Sequence, residues 1–135
     1  MSDHTGRCLC GAVRYLARGT PKSVGNCHCA MCRRASGGPF LTFARYAKDQ
    51  VEFTSGAPAW YRSSENAERG FCPACGGALA YREAKRSDSM WLTVATMDNP
   101  RDMAPQYHIF TDSMLPWLKI DDDLPRHAQS PTAHA

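Results

Sequence analysis

The chain has 135 residues, 43% hydrophobic and 21% charged, with 16 basic and 13 acidic side chains for a net charge of +3. That length suits a single domain with a core of its own, and the composition is that of a globular protein. The basic residues are scattered from Arg7 to Arg126 without a concentrated stripe, so nucleic acid is not the expected partner. No stretch approaches the roughly 20 apolar residues that span a bilayer, and Met1-Ser2-Asp3-His4-Thr5 carries no apolar signal run. The expected setting is cytoplasmic and reducing, away from membranes.

In chain order the pattern is mostly β. Gly11-Ala12-Val13-Arg14-Tyr15-Leu16-Ala17 alternates loosely and predicts a strand closed by Gly19-Thr20-Pro21. Residues 23–27 form a short second candidate. Ala30 to Ser36 fits one or two helical turns stopped by Gly37-Gly38-Pro39. Strands are expected at 40–44, at 51–54 and 59–62 as a hairpin or meander around Ser55-Gly56-Ala57-Pro58, and at 78–82. Met90-Trp91-Leu92-Thr93-Val94-Ala95-Thr96, apolar and β-branched, is the strongest strand signal. Residues 107–110 and 116–120 are two more. The expected organisation is one domain over 1–125, with a flexible tail over 126–135.

All seven cysteines fall in three groups: Cys8-Leu9-Cys10, Cys27-His28-Cys29-Ala30-Met31-Cys32 and Cys72-Pro73-Ala74-Cys75. An odd number in a reducing setting argues against a disulfide framework. No βαβ pattern surrounds Cys72-Pro73-Ala74-Cys75, which argues against a thioredoxin-like dithiol. An iron–sulfur cluster on the two pairs would leave the triplet unexplained. Zinc accounts for every cysteine. Four thiolates close a tetrahedral structural site, whereas a reactive site keeps three protein ligands and one open position. Two pairs make the first and the triplet makes the second. Glycines at 76 and 77 allow the tight turn a metal knuckle needs. His28, in the middle of an extended Cys-x-Cys step, is expected to point away from its neighbours.

The stretches Cys8-Leu9-Cys10-Gly11-Ala12-Val13, Cys27 to Gly37 and Phe71-Cys72-Pro73-Ala74-Cys75-Gly76, with Met97-Asp98 and Pro116-Trp117-Leu118 later on, carry a resemblance. Over roughly residues 7 to 125 the chain resembles the glutathione-dependent formaldehyde-activating enzyme (GFA) family, which also contains centromere protein V. The resemblance implies a mainly β, Mss4-like fold of several small curled antiparallel sheets around zinc sites. It implies two zinc ions per chain: a structural one on Cys8, Cys10, Cys72 and Cys75, and a catalytic one on Cys27, Cys29 and Cys32. The activity it implies is that of a zinc-dependent carbon–sulfur lyase or synthase acting on glutathione-type thiol adducts, as in formation of S-(hydroxymethyl)glutathione.

Glutathione or a similar small thiol is then the expected partner and co-substrate. Arg33 and Arg34, which follow the third ligand, are candidates for its carboxylates. His28, His108 and Asp98 are candidate general bases. Trp60, Tyr61 and Trp117 are read as core packing. Exposed sheet edges leave room for a homodimer. The alternative function is a non-catalytic zinc-binding module whose triplet site is closed by a fourth ligand and serves structure or interaction.

Overall fold

Tyr15, Tyr46, Leu79, Leu92 and Val13 are sealed from solvent, and they show where the chain folds on itself. The computed structural model describes residues 2–130. In chain order its strands are β1 (His4–Arg7), β2 (Arg14–Ala17), β3 (Ser23–Cys27), β4 (Leu41–Ala47), β5 (Val51–Ser55), β6 (Ala59–Arg62), β7 (Ala67–Phe71), β8 (Ala78–Glu83), β9 (Ser89–Thr93) and β10 (His108–Ile109). Among the described residues one α-helix, α1 (Ala30–Ser36), interrupts them, and four short 3-10 turns join the later segments. The mainly β expectation therefore holds.

The strands form two sheets. One has the order β1-β2-β5, and the other β10-β3-β4-β9-β8-β7-β6. All pairs are antiparallel except β10 with β3.

Strand alternation sends successive side chains to opposite faces, and this divides the larger sheet. One face carries Ala44, Tyr46, Ala80, Met90 and Leu92, which join Tyr15 and Ala17 of the smaller sheet, and Val13 just before β2, in the main core. Cys8 and Cys72 belong to that core. The other face carries a row fixed by register. Arg69 lies opposite Tyr81, Tyr81 opposite Trp91, and Trp91 opposite Arg45. A second, smaller core sits on this side, built from Cys27, Cys32 and Leu41 with Cys29, Phe43, Ile109 and Phe110 against it.

Several elements differ from the sequence reading. Strands β1 and β7 carry weak apolar patterns and escape it; β1 forms because its backbone zips onto β2 from His4↔Ala17 to Arg7↔Arg14. Strand β9 stops at Thr93, where Thr96 Oγ1 donates to the Thr93 carbonyl at 2.7 Å and turns Val94–Thr96 into a 3-10 helix. Residues 116–120 form no strand, and Trp117 is 68% exposed. Tyr61 is 66% exposed, so neither of these rings is core; Trp60 is half-buried beneath Arg82, whose guanidinium lies 3.8 Å from the ring centroid. The expected tail is tied down in its first part: His127 N–H donates to His108 O, and Thr111 N–H to His127 O. Residues 131–135 of that expected tail lie outside the described residues.

Candidate metal centres and the adjoining cavity

The four-cysteine cluster is assembled from two turns. The Cys8 carbonyl accepts from Gly11 N–H at 3.2 Å, and the Cys72 carbonyl accepts from Gly76 N–H at 2.8 Å. Gly11 and Gly76 have φ of 79° and 78°, a left-handed conformation that favours glycine. Each turn aims backbone donors at sulfur. Val13 N–H reaches Cys8 Sγ, and the N–H groups of Ala74 and Cys75 reach Cys72 Sγ, all at 3.4 Å. The Val13 N–H favours the Cys8 thiolate against the opposing effect of burial, and with the neighbouring thiols it holds Cys8 down at about 6. Cys75 is lowered as well, first by the N–H of Cys10 and then by that of Gly77.

The spacing of these sulfurs fits a metal. A tetrahedron with zinc–sulfur bonds of about 2.3 Å has edges of about 3.8 Å. Cys8 Sγ lies 3.7 Å from Cys10 Sγ, which lies 3.8 Å from Cys72 Sγ. All four sulfurs fall within 4.8 Å of one another, and so do those of Cys27, Cys29 and Cys32. Both clusters can hold a metal ion.

The triplet sits where β3 gives way to α1. Cys27 ends the strand, and His28 N–H donates to the Ile109 carbonyl of β10 at 3.1 Å. Cys29 is the N-cap of α1, its sulfur accepting from the Cys32 N–H at 3.3 Å, and Gly37 ends the helix in the left-handed region. The thiols of Cys27 and Cys32 donate to Cys29, which holds its pKa far below the usual thiol range. The same sharing, together with burial, pushes Cys27 well above that range. At Cys32 donation from Cys27 favours the thiolate, but the Cys29 sulfur and burial outweigh it and leave the group at about 11. Three sulfurs this close cannot all ionise alone, and a bound cation removes that restriction.

As expected, His28 turns away from the sulfurs. Its Nε2 meets His108 Nδ1 at 2.9 Å, its ring lies against Phe40, and His108 Nε2 meets Asp122 Oδ2 at 2.9 Å. Both histidine side chains are fully buried, and burial lowers His28 to about 4. Asp98, the third candidate base, accepts from Thr5 Oγ1 on the surface near β1. The two candidate arginines part company. Arg33 Nη1 donates to the carbonyls of His28 and Ser113, at 2.9 and 2.7 Å, and borders neither of the two cavities beside the triplet. Arg34 is exposed and lines the wider of the two.

A cavity of about 240 Å³ opens over the triplet, walled by Cys27, Cys29 and Cys32 and floored by Phe43, Tyr81 and Trp91. Tyr81 packs edge-on against Trp91 and tilted against Phe43, at centroid distances of 5.4 and 5.8 Å. Glu83 also borders this cavity; it accepts from Tyr81 Oη at 2.7 Å and pairs with Arg86 Nη1 at 2.7 Å. A second cavity of about 570 Å³ shares Met31, Phe43, Ser63 and Arg69 with the first. Both volumes stop short of Cys8, Cys10, Cys72 and Cys75. The sequence offers no motif for Arg69, Tyr81, Glu83 and Arg86: the register of β7 with β8 brings Arg69 to Tyr81, and Glu83 and Arg86 reach Tyr81 along the chain.

An uncharacterized lyase of Schizosaccharomyces pombe is 36% identical over 87 residues, a match spanning 63% of this chain and 63% of that protein. A structural-genomics crystal structure of a Rhodobacter sphaeroides protein shares the fold, with a TM-score of 0.57 at 22% identity over 74% of this chain and 94% of that one. Among the described residues no helix is long and apolar enough to cross a membrane. The model of the glutathione-dependent formaldehyde-activating enzyme family matches residues 3–113, and the chain belongs to that family.

Proposed function

We propose that the protein is a zinc-dependent carbon–sulfur lyase or synthase of glutathione-type thiol adducts, working in a reducing, cytoplasmic compartment. The observation that carries this reading is the meeting of three cysteine sulfurs at the wall of a cavity, set apart from a four-sulfur cluster that borders none of that space. Cys27, Cys29 and Cys32 would hold the catalytic ion, and Cys8, Cys10, Cys72 and Cys75 a structural one. When bound at the triplet, zinc supplies a Lewis acid that favours the thiolate form of a substrate thiol.

The chain's own residues do the rest. Phe43, Trp91, Ile109 and Phe110 keep the space beside the sulfurs apolar, which strengthens electrostatic interactions there. In the synthetic direction the substrate sulfur attacks the aldehyde carbon, a carbon–sulfur bond forms, and the carbonyl oxygen ends as a hydroxyl carrying the proton that left the thiol. The lyase direction reverses each change. Glu83, the carboxylate on the cavity wall, is held in place by Tyr81 and Arg86 and is suited to relaying that proton. Arg34 is free to meet a substrate carboxylate from the wider cavity.

The test is the rate at which zinc-loaded protein converts formaldehyde and glutathione to S-(hydroxymethyl)glutathione, followed by NMR against the uncatalysed reaction. Acceleration that disappears in Cys29→Ser is expected. An unchanged rate, with no effect of glutathione on the absorption of cobalt-substituted protein, overturns the reading in favour of a non-catalytic zinc module.

A further inference from the structure

Arg69 is a cation with no carboxylate partner among the described residues. Its Nη1 and Nη2 both donate to Cys32 Sγ at 3.7 Å, so the planar fork is aimed at the triplet. Its guanidinium lies over the Tyr81 ring, 5.1 Å from the centroid, and its Nε is buried without a hydrogen-bond partner. The side chain borders both cavities. A partly buried charge is costly unless an opposite charge compensates it. Negative charge on the sulfur triplet is within reach of the fork, whereas Glu83 on the same cavity is paired with Arg86.

We propose that Arg69 is a charge-balancing residue that makes the fourth position of the triplet site select an anionic ligand, a thiolate, over a neutral one. The proposal rests on the reading above that the triplet holds a metal with one open position. Three thiolates around a divalent cation leave one net negative charge, and a fourth thiolate leaves two. The guanidinium offsets one of these in a low-polarity space where charge interactions are strong. An incoming thiol binds as thiolate and gives its proton to solvent, so it gains from that offset, whereas a neutral nitrogen ligand adds no charge and gains nothing comparable. The aromatic row keeps the guanidinium facing the sulfurs: Arg69 pairs across the strands with Tyr81, and Tyr81 with Trp91.

The experiment titrates cobalt-substituted protein with two small probes, 2-mercaptoethanol and imidazole, and reads the affinity of each from the visible absorption bands. The four-cysteine site contributes a constant background. In wild type both probes perturb the spectrum. Arg69→Gln weakens 2-mercaptoethanol by about tenfold or more, the scale of one charge-assisted hydrogen bond, and leaves imidazole within about twofold. Equal weakening of both probes marks a merely structural arginine and overturns the proposal, as does no weakening of either. Arg69→Lys keeps the charge and is expected to keep the preference for thiolate; a lysine variant that has lost it also overturns the proposal, even where the glutamine variant does not fold. A wild-type spectrum that responds to neither probe brings down the open-site reading and this proposal together. A wild-type response without selective loss in the variants brings down this proposal alone.

Discussion

Around the four-cysteine cluster the sulfurs are met by backbone N–H groups, from Val13, Ala74 and Cys75. At the three-cysteine cluster one sulfur is met by a side-chain guanidinium from a different strand. Cys8 and Cys72 are part of the main core, whereas Cys27 and Cys32 anchor a small satellite core beside a cavity. Backbone donors come with each turn, so the electrostatics of each half of the first site are set locally and are hard to alter by substitution, although the two halves meet across 62 residues. The second depends on a residue 37 positions away from Cys32, and a single substitution can retune it. The one arrangement suits a clamp, and the other suits a site where something must enter and leave.

The largest effect that separates the two sites is the loss of a ligand. Cys72→Ser should abolish cooperative unfolding or strip the structural metal, because a structural zinc contributes on the order of 10–16 kcal/mol in small zinc peptides against a domain stability of about 5–15 kcal/mol. Cys29→Ser should keep the fold and lose only the triplet metal. Thermal melts with metal content measured by elemental analysis check both variants, and a folded Cys72→Ser protein retaining two metals would falsify this division of roles.

A smaller contrast concerns the two cores. Leu79 is fully buried in the main core, while Leu41 lies in the satellite core at the edge of the wider cavity. Leu79→Ala should cost about 4 kcal/mol, and Leu41→Ala about 2 kcal/mol because its surroundings already adjoin open space. Denaturant midpoints at constant slope measure the pair, and a larger loss for Leu41→Ala would reverse the ranking of the cores.

The smallest effect belongs to Tyr46, whose hydroxyl is buried in the main core with no hydrogen-bond partner among the described residues. Burial raises its pKa to about 12, above the tyrosine value near 10 expected for the unfolded chain. The folded state therefore keeps a proton that the unfolded state releases. This contribution to stability is complete below pH 10 and is lost as the pH rises toward 12. Tyr46→Phe should be neutral or stabilising by up to about 1 kcal/mol at pH 7 and should soften the alkaline decline. A melting series from pH 7 to 12 gives the answer, and clear destabilisation at neutral pH would mean that the hydroxyl has a partner.

Both sets of sulfurs were legible in the sequence because each ligand pair is a local motif whose turn needs only a few neighbours. Gly76 is a case in point, placed beside Cys75 and found at positive φ. The orientation of His28 followed from strand alternation alone. The remainder of the candidate site was not legible, because Arg69, Tyr81 and Trp91 become neighbours only through the pairing of β7, β8 and β9. The His4–Arg7 strand carries no apolar repeat and owes its existence to the partner edge. Residues 116–120 show the opposite error: apolar character without a partner edge left Trp117 in solvent. Arg33 adjoins Cys32 in sequence, yet its hydrogen bonds tie together the His28 and Ser113 carbonyls.

The parallel pairing of β10 with β3 also has a bearing on the order of events during synthesis. Cys10 meets Cys72 across 62 residues, whereas the seam beside the triplet joins Val24 to Gln106 across 82. Loop closure costs only about 0.6 kcal/mol per doubling of length, so this difference hardly matters to the equilibrium. On a chain emerging from its N-terminus it matters in time. The four ligands of the clamp are all available once Cys75 has appeared, but the strand that pins His28 is made more than thirty residues later. The nascent protein can therefore assemble the four-cysteine cluster first and complete the surroundings of the triplet last.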